Sequence, residues 1–184
     1  MADYIKTYSG LHLNPRAPEP EYIQIEDIAH ALSLVCRGNG HVKTFFSVGQ
    51  HCIRCALEAE ARGYSNRLVL ACLLHDAGEA YMSDITRPLK QYLPRYQAYE
   101  KQLLGVIYRK YLQTTLTLEE ERIVKEIDDD LLYYDMLHLL EEKIKETPPQ
   151  LKTSFDYEFV DFALVEREYL EIFSRFSDRV LTNE

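Results

Sequence analysis

The stretch "LLHDAGEAYMSD", Leu73 to Asp84, sets one histidine, two aspartates and a glutamate directly after the apolar run "LVLACLL" (Leu68 to Leu74). Burying an unpaired ionised carboxylate is costly, so several acidic groups and an imidazole at the end of a core helix need a common explanation. A bound cation supplies one. On a helix, Glu79 lies four residues after His75 and three after Asp76, so the three can face one cleft. His75 and Asp76 are about 100° apart around the axis, yet both can reach one ion from the helix end. Imidazole with carboxylate suits a borderline divalent cation, namely Mn, Fe, Co, Ni or Zn. Adjacent ligands do not complete a site, so the remainder must come from elsewhere in the chain.

Two segments offer donors. Ser47 with Gln50 three residues on matches a capping box, which places His51 in the first turns of a helix. Taken alone, a histidine there is more often a hydrogen-bonded core residue. The second segment is "EIDDDLL". Asp129 shares its helix face with Lys125, Glu126, Tyr133 and Met136, a mostly wet side. Asp128 has Val124, Leu131 and Leu132 around it, and a carboxylate on an apolar stripe needs a partner. Asp128 is therefore the preferred fourth ligand, with Asp129 and Asp130 as alternatives.

The elements that must hold these residues are helical. Residues 1–21 contain Pro15, Pro18 and Pro20 and read as an irregular arm. Apolar spacing predicts a helix over 25–37, broken by "GNGH". Further helices are expected from Val48 to about Arg62, from a cap at Ser65 or Asn66 through the LLHDAGEA segment, and over 96–111. "ITRPLK" (85–90) reads as a loop with Pro88 as a stop. "TLEE" is a second capping box, opening a helix that reaches roughly Glu146 before "TPPQ" ends it. A last helix covers about 157–176. No two-residue alternation is sustained and no repeat is present. The expected fold class is all-α, a compact single-domain helical bundle over 1–184.

Composition narrows the function classes. The chain has 184 residues, 46% of them hydrophobic, and a formal net charge of -9. That balance argues against a nucleic-acid polymer or an anionic membrane as partner, since phosphate backbones need clustered cations. A small anionic substrate is still compatible, because a metal and a few local cations can reverse the potential inside a cleft. The N-terminus lacks an apolar export core and no apolar run approaches the ~20 residues of a membrane span, so the expected compartment is the cytoplasm. There Cys36, Cys52, Cys55 and Cys72 are expected to be reduced. Cys52-x-x-Cys55 has the form of a redox pair or half a zinc site. No second such pair completes it, and two small residues on a buried helix face is the simpler reading.

The set His51, then the pair His75-Asp76, then Asp128, resembles the H…HD…D signature of the HD-domain metal-dependent phosphohydrolases. "IEDIAHALSLVCR", "GHVKTFFSVGQH", "HDAGEAYMSDITRPLK" and "VKEIDDDLL" are similar, in order, to blocks of the branch containing bacterial deoxyribonucleoside 5'-monophosphate phosphatases. These blocks span residues 25–135. The resemblance implies a bundle of helices around one divalent metal held by His51, His75, Asp76 and Asp128. It implies Glu79 and Asp84 as the acidic pair that handles the water and the leaving group, and Arg37 as the grip on the phosphate. An aromatic residue can follow this arginine in that branch and help distinguish deoxyribose from ribose. Here Gly38 follows, which leaves the sugar preference open. Arg87 and Lys90 follow Asp84 and could add positive charge, though a surface cation is more often merely solvated. His41 is either a phosphate contact or a support for the ligands.

The expected activity is hydrolysis of (deoxy)nucleoside 5'-monophosphates by water activated on the metal. Two alternatives use the same site: a deoxynucleoside triphosphate triphosphohydrolase, and a non-catalytic nucleotide- or metal-binding module. Relatives in the family are often homodimers, and the apolar, tyrosine-rich C-terminal helix is a candidate interface.

Overall fold

The computed structural model describes residues 3–181. In chain order these form the strands β1 (Ile5–Lys6) and β2 (His12–Leu13), then helices α1 (Ile25–Leu34), α2 (Val48–Ala61), α3 (Asn66–Leu74), α4 (Glu79–Met82), α5 (Arg87–Lys90), α6 (Pro94–Leu112), α7 (Leu118–Leu140) and α8 (Phe162–Leu181). The all-α expectation holds. The one sheet among the described residues is the antiparallel β1–β2 pair, which folds part of the N-terminal arm into a hairpin and buries Leu13.

Helix starts follow caps written in the sequence. The Gln50 N–H donates to Ser47 Oγ at 3.1 Å while Gln50 Oε1 accepts the Ser47 N–H at 3.0 Å, closing a capping box. Thr117 and Glu120 do the same at α7. The Leu68 N–H donates to the hydroxyl of Ser65, which caps α3. Each cap satisfies backbone donors that have no partner inside the helix.

The apolar run Leu68–Leu74 is buried along its whole length because α2, α6, α7 and α8 surround α3. Helix α1 lies across α2 and α8. The α1–α2 crossing is close at Gly49. A Cβ placed there would lie 3.1 Å from the Leu32 carbonyl oxygen and 3.2 Å from the Ser33 nitrogen. Near-contact with backbone leaves no flexible atom to move aside, so glycine sets this approach. On the outer side, His30 Nδ1 meets Glu166 Oε2 at 2.9 Å, and its ring stacks on Tyr8. The histidine thereby ties the N-terminal arm to α8.

The segment between α7 and α8 is irregular and is strapped to α2 by Glu58. This carboxylate is fully buried. It accepts the Lys152 N–H at 2.9 Å, the Thr153 N–H at 3.0 Å, the Thr153 hydroxyl at 2.5 Å and the Arg62 guanidinium at 2.7 Å. Tyr134 holds the same segment by donating to the Pro149 carbonyl, and Tyr133 is buried in the bundle. Tyr133 thus packs within the bundle, and Tyr134 ties α7 to the irregular segment.

Several boundaries differ from the expected ones. Helix α1 stops at Leu34, because Val35 and Cys36 turn extended and Cys36 bridges to Ser47. The helix through LLHDAGEA is interrupted: α3 ends at Leu74, a turn carries His75 to Gly78, and α4 follows. Residues 87–90 form a short helix rather than a loop, with Pro88 in its first turn, where a missing N–H costs nothing. Helix α7 ends at Leu140 through a left-handed Glu141, before "TPPQ" is reached. Helix α8 begins at Phe162, five residues later than expected.

Candidate metal centre

Three parts of the chain converge where α3 ends. Helix α2 supplies His51, the turn after α3 supplies His75 and Asp76, and α7 supplies Asp128. His51 Nε2 lies 3.2 Å from Asp128 Oδ1. His75 Nε2 lies 3.3 Å from Asp76 Oδ2 and 3.8 Å from Asp128 Oδ1. Donors about 2.1 Å from one ion sit roughly 3.0–3.4 Å apart in octahedral or tetrahedral coordination, so most of these separations are already those of a shared ligand shell.

Hydrogen bonding fixes which nitrogen each ring offers. His75 Nδ1 donates to the Cys72 carbonyl at 2.7 Å. That leaves Nε2 as the lone-pair atom, and it is buried without a hydrogen-bond partner. His51 is fully buried, and its Nδ1 lies 2.8 Å from Asp135 Oδ2. Its Nε2 then points a lone pair at the Asp128 carboxylate, and two acceptors at that distance need a proton or a cation between them. A ring nitrogen bonded to carbonyl or carboxylate, with the other turned to a common centre, is how metal-ligating histidines are held. The donor set therefore fits a divalent cation.

The charge distribution agrees. Burial raises the Asp76 and Asp128 carboxyls, but for Asp76 the His75 and Arg37 cations outweigh it, and for Asp128 His51, His75 and Lys125 do. Both are held well below the usual carboxylate range. Burial lowers His75, yet Asp76 outweighs it and lifts the imidazole well above its ordinary value. A proton thus stabilises the ring where a metal ion would.

Around this cluster sits a cleft of about 360 Å³. Its polar wall includes His75, Asp76, Glu79, Lys90 and Asp128, and its apolar wall Leu104, Tyr108, Leu116 and Val124. Glu79 is buried, with Oε2 unpartnered. Burial, then the charges of Asp76 and Asp84, push its carboxyl up to about 10. Asp84 is half-buried and acts on Glu79 and Arg37 through its charge. Lys90 reaches the cleft but pairs with Glu100 at 2.6 Å.

Arg37 follows the early end of α1 and turns inward, 3.5 Å from both Asp76 Oδ2 and Asp135 Oδ2. Burial weakens its charged form, but Asp135 and Asp76 more than restore it. The turn after it takes left-handed backbone at Gly38 (φ 58°) and Asn39 (φ 54°). His41 ends that turn exposed, and among the described residues no hydrogen bond or ion pair joins its imidazole to the cluster.

Asp135 was not anticipated, and Arg87, Cys52 and Cys55 lie nearer the cluster than the simpler readings of a solvated cation and two packing thiols imply. Asp135 is 3% exposed and supports His51, Arg37 and the Tyr157 hydroxyl, which donates to it at 3.0 Å. It lies two helical turns beyond Asp128 on α7, a spacing that puts both on one face. Arg87 bridges Asp128 and Asp129 at 3.2 and 2.8 Å, so it touches the cluster rather than only solvent. Cys52 and Cys55 also reach the imidazoles. One candidate donor group comprises His51, Cys55 and His75, and a second Cys52, His75 and Asp76.

No protein-family model matches the chain. It is 40% identical over 108 residues to the uncharacterized protein YfdR of Escherichia coli, covering 59% of this chain and 58% of that protein. It is 34% identical over 126 residues to an uncharacterized protein of Rhodobacter capsulatus, covering 65% of this chain and 64% of that one. The match thus spans about three fifths of each relative's length. Among the described residues, no helix is long and apolar enough to cross a membrane.

Proposed function

We propose that this chain is a metal-dependent phosphohydrolase of the HD-domain type that removes phosphate from nucleoside 5'-monophosphates. The observation that carries this reading is the convergence of His51, His75, Asp76 and Asp128, with a buried His75 Nε2 that lacks a hydrogen-bond partner, beside the buried acid Glu79. A divalent ion in this donor set, of the Mn, Fe, Co, Ni or Zn group, supplies an acidified water and neutralises charge on the phosphoryl oxygens.

The chain's own residues do the rest. Arg37, between Asp76 and Asp135, presents a planar guanidinium suited to two parallel hydrogen bonds to a phosphate. Glu79 and Asp84 share the acid–base work: one takes the proton of the attacking water, and the other donates to the departing sugar oxygen. Burial and the like charges of Asp76 and Asp84 raise the proton affinity of Glu79, which suits that division. The apolar wall of Leu104, Tyr108, Leu116 and Val124 suits a nucleoside. Of the three cleft lysines, Lys90 is neutralised by Glu100 and Lys125 by Asp128 and Asp129, which leaves Lys101 as the one uncommitted lysine there among the described residues. That favours one phosphate over the three of a nucleoside triphosphate.

The test is turnover of nucleoside mono- and triphosphates by metal-stripped protein resupplied with Mn, Co or Mg. Orthophosphate from monophosphates is expected, and Glu79→Gln should lower kcat about 100-fold or more. Tripolyphosphate release instead would make it a triphosphohydrolase. No turnover with any substrate would leave a binding module.

A further inference from the structure

Helix α2 carries two thiols on the face that bears His51. Cys52 and Cys55 are three residues apart, both buried and both free. Cys55 Sγ is 3.5 Å from His51 Nε2, the atom that also faces Asp128. His51, Cys55 and His75 each bring one donor atom to within 4.8 Å of the others, and Cys52, His75 and Asp76 form a second such group. The two imidazoles therefore stand between an oxygen side, Asp76 and Asp128, and a sulfur side, Cys55 and Cys52. His75 Nε2, with its side chain 9% exposed and no hydrogen-bond partner, belongs to both.

Hard and soft cations divide between such donors. Carboxylate oxygen suits Mn or Mg, whereas thiolate selects thiophilic ions. We propose that the cluster is a two-sided centre, in which a thiophilic divalent cation of the zinc and cadmium class is held by the His51 and His75 imidazoles and the Cys55 thiolate. On binding, the Cys55 S–H bond breaks, its proton passes to solvent and a sulfur–metal bond forms, with no change of oxidation state. Cys52 lies beside the same His75 but groups with Asp76 rather than with His51, so Cys55 is the sulfur donor. This inference rests on the reading of the cluster as a metal centre, not on phosphate chemistry.

The test is a titration of the metal-stripped full chain with Cd2+, read as thiolate-to-metal charge-transfer absorption in the ultraviolet, with Mn2+ affinity measured in parallel. Wild type should give the band. Cys55→Ala should remove most of it and weaken Cd2+ binding about tenfold or more, the scale of lost metal contacts, while Mn2+ affinity stays within about twofold. Cys55→Ser serves if the alanine variant fails to fold. Mn2+ binding with no charge-transfer band in wild type, or a band unchanged in Cys55→Ala, would overturn the sulfur side and leave the metal centre standing. Failure of both ions to bind would overturn both.

Discussion

His51 has carboxylates on both ring nitrogens, Asp135 at 2.8 Å and Asp128 at 3.2 Å. The first fixes the tautomer and the second faces the centre, so Asp135 is a positioning residue that acts through the imidazole. Asp135→Asn keeps the shape but can present an N–H to Nδ1, which favours the wrong tautomer. Metal affinity should fall about 10- to 100-fold, read by competition with a chromophoric chelator, while the far-ultraviolet circular dichroism stays unchanged. Unaltered affinity would reduce Asp135 to a packing residue. The Arg37 charge is shared between Asp135 and Asp76, so the same change should also raise KM for a phosphate ester.

At the scale of elements, the strap on Glu58 joins α2 to the segment between α7 and α8. Burial alone raises this carboxyl, but the Thr153 hydroxyl, the Lys152 N–H and Arg62 outweigh it, so its folded pKa lies below the unfolded one. A depressed carboxyl contributes stability that is present above about pH 4.3, the unfolded value, and is lost as pH falls through the folded value. Glu58→Gln should cost about 2 kcal/mol at pH 7 and flatten the decline in stability on acidification, both read from urea unfolding at a series of pH values. Parallel pH curves for the two proteins would refute this role.

What the sequence disclosed of these elements follows from range. The caps at Ser47 and Thr117 act within three residues and were readable, and that of α3 was narrowed to Ser65 or Asn66, of which Ser65 is the one used. The choice of Asp128 over Asp129 for the more enclosed position was readable too, since it rested on neighbours one turn away. The early end of α1 depends on a bridge from Cys36 to Ser47 and was not readable. The thiols beside the imidazoles depend on how α2 packs against α3. Cys52 and Cys55 read correctly as small buried side chains, but burial alone could not say beside what. Asp135 was open to inference from its seven-residue offset to Asp128. Its face neighbours Leu131, Leu132 and Leu139 make an apolar stripe like that of Asp128, so the same argument applied one heptad on would have found it.

Over the whole molecule, the acidic groups gathered at one point exceed the cations that answer them. Asp76, Asp128, Asp135, Glu79 and Asp84 surround Arg37, and Arg87 and Lys125 approach from the rim. A divalent cation relieves this excess only in the folded chain, so it should stabilise the fold. Saturating metal-stripped protein with Mn2+ or Co2+ at a hundred times Kd adds about 2.7 kcal/mol, or roughly 5–10 °C in Tm for a domain of this size. Asp76→Ala should abolish the shift, measured by differential scanning fluorimetry.

The sequence separation of 84 between His51 and Asp135 has a consequence for synthesis. On the ribosome the first imidazole emerges well before the carboxylate that will orient it, and the intervening chain must fold into α3 and α6 meanwhile. A nascent protein therefore carries its cysteines and histidines unguarded until α7 arrives. A donor set that draws on both His51 and Asp128 is complete only once α7 has been made and has packed against α2.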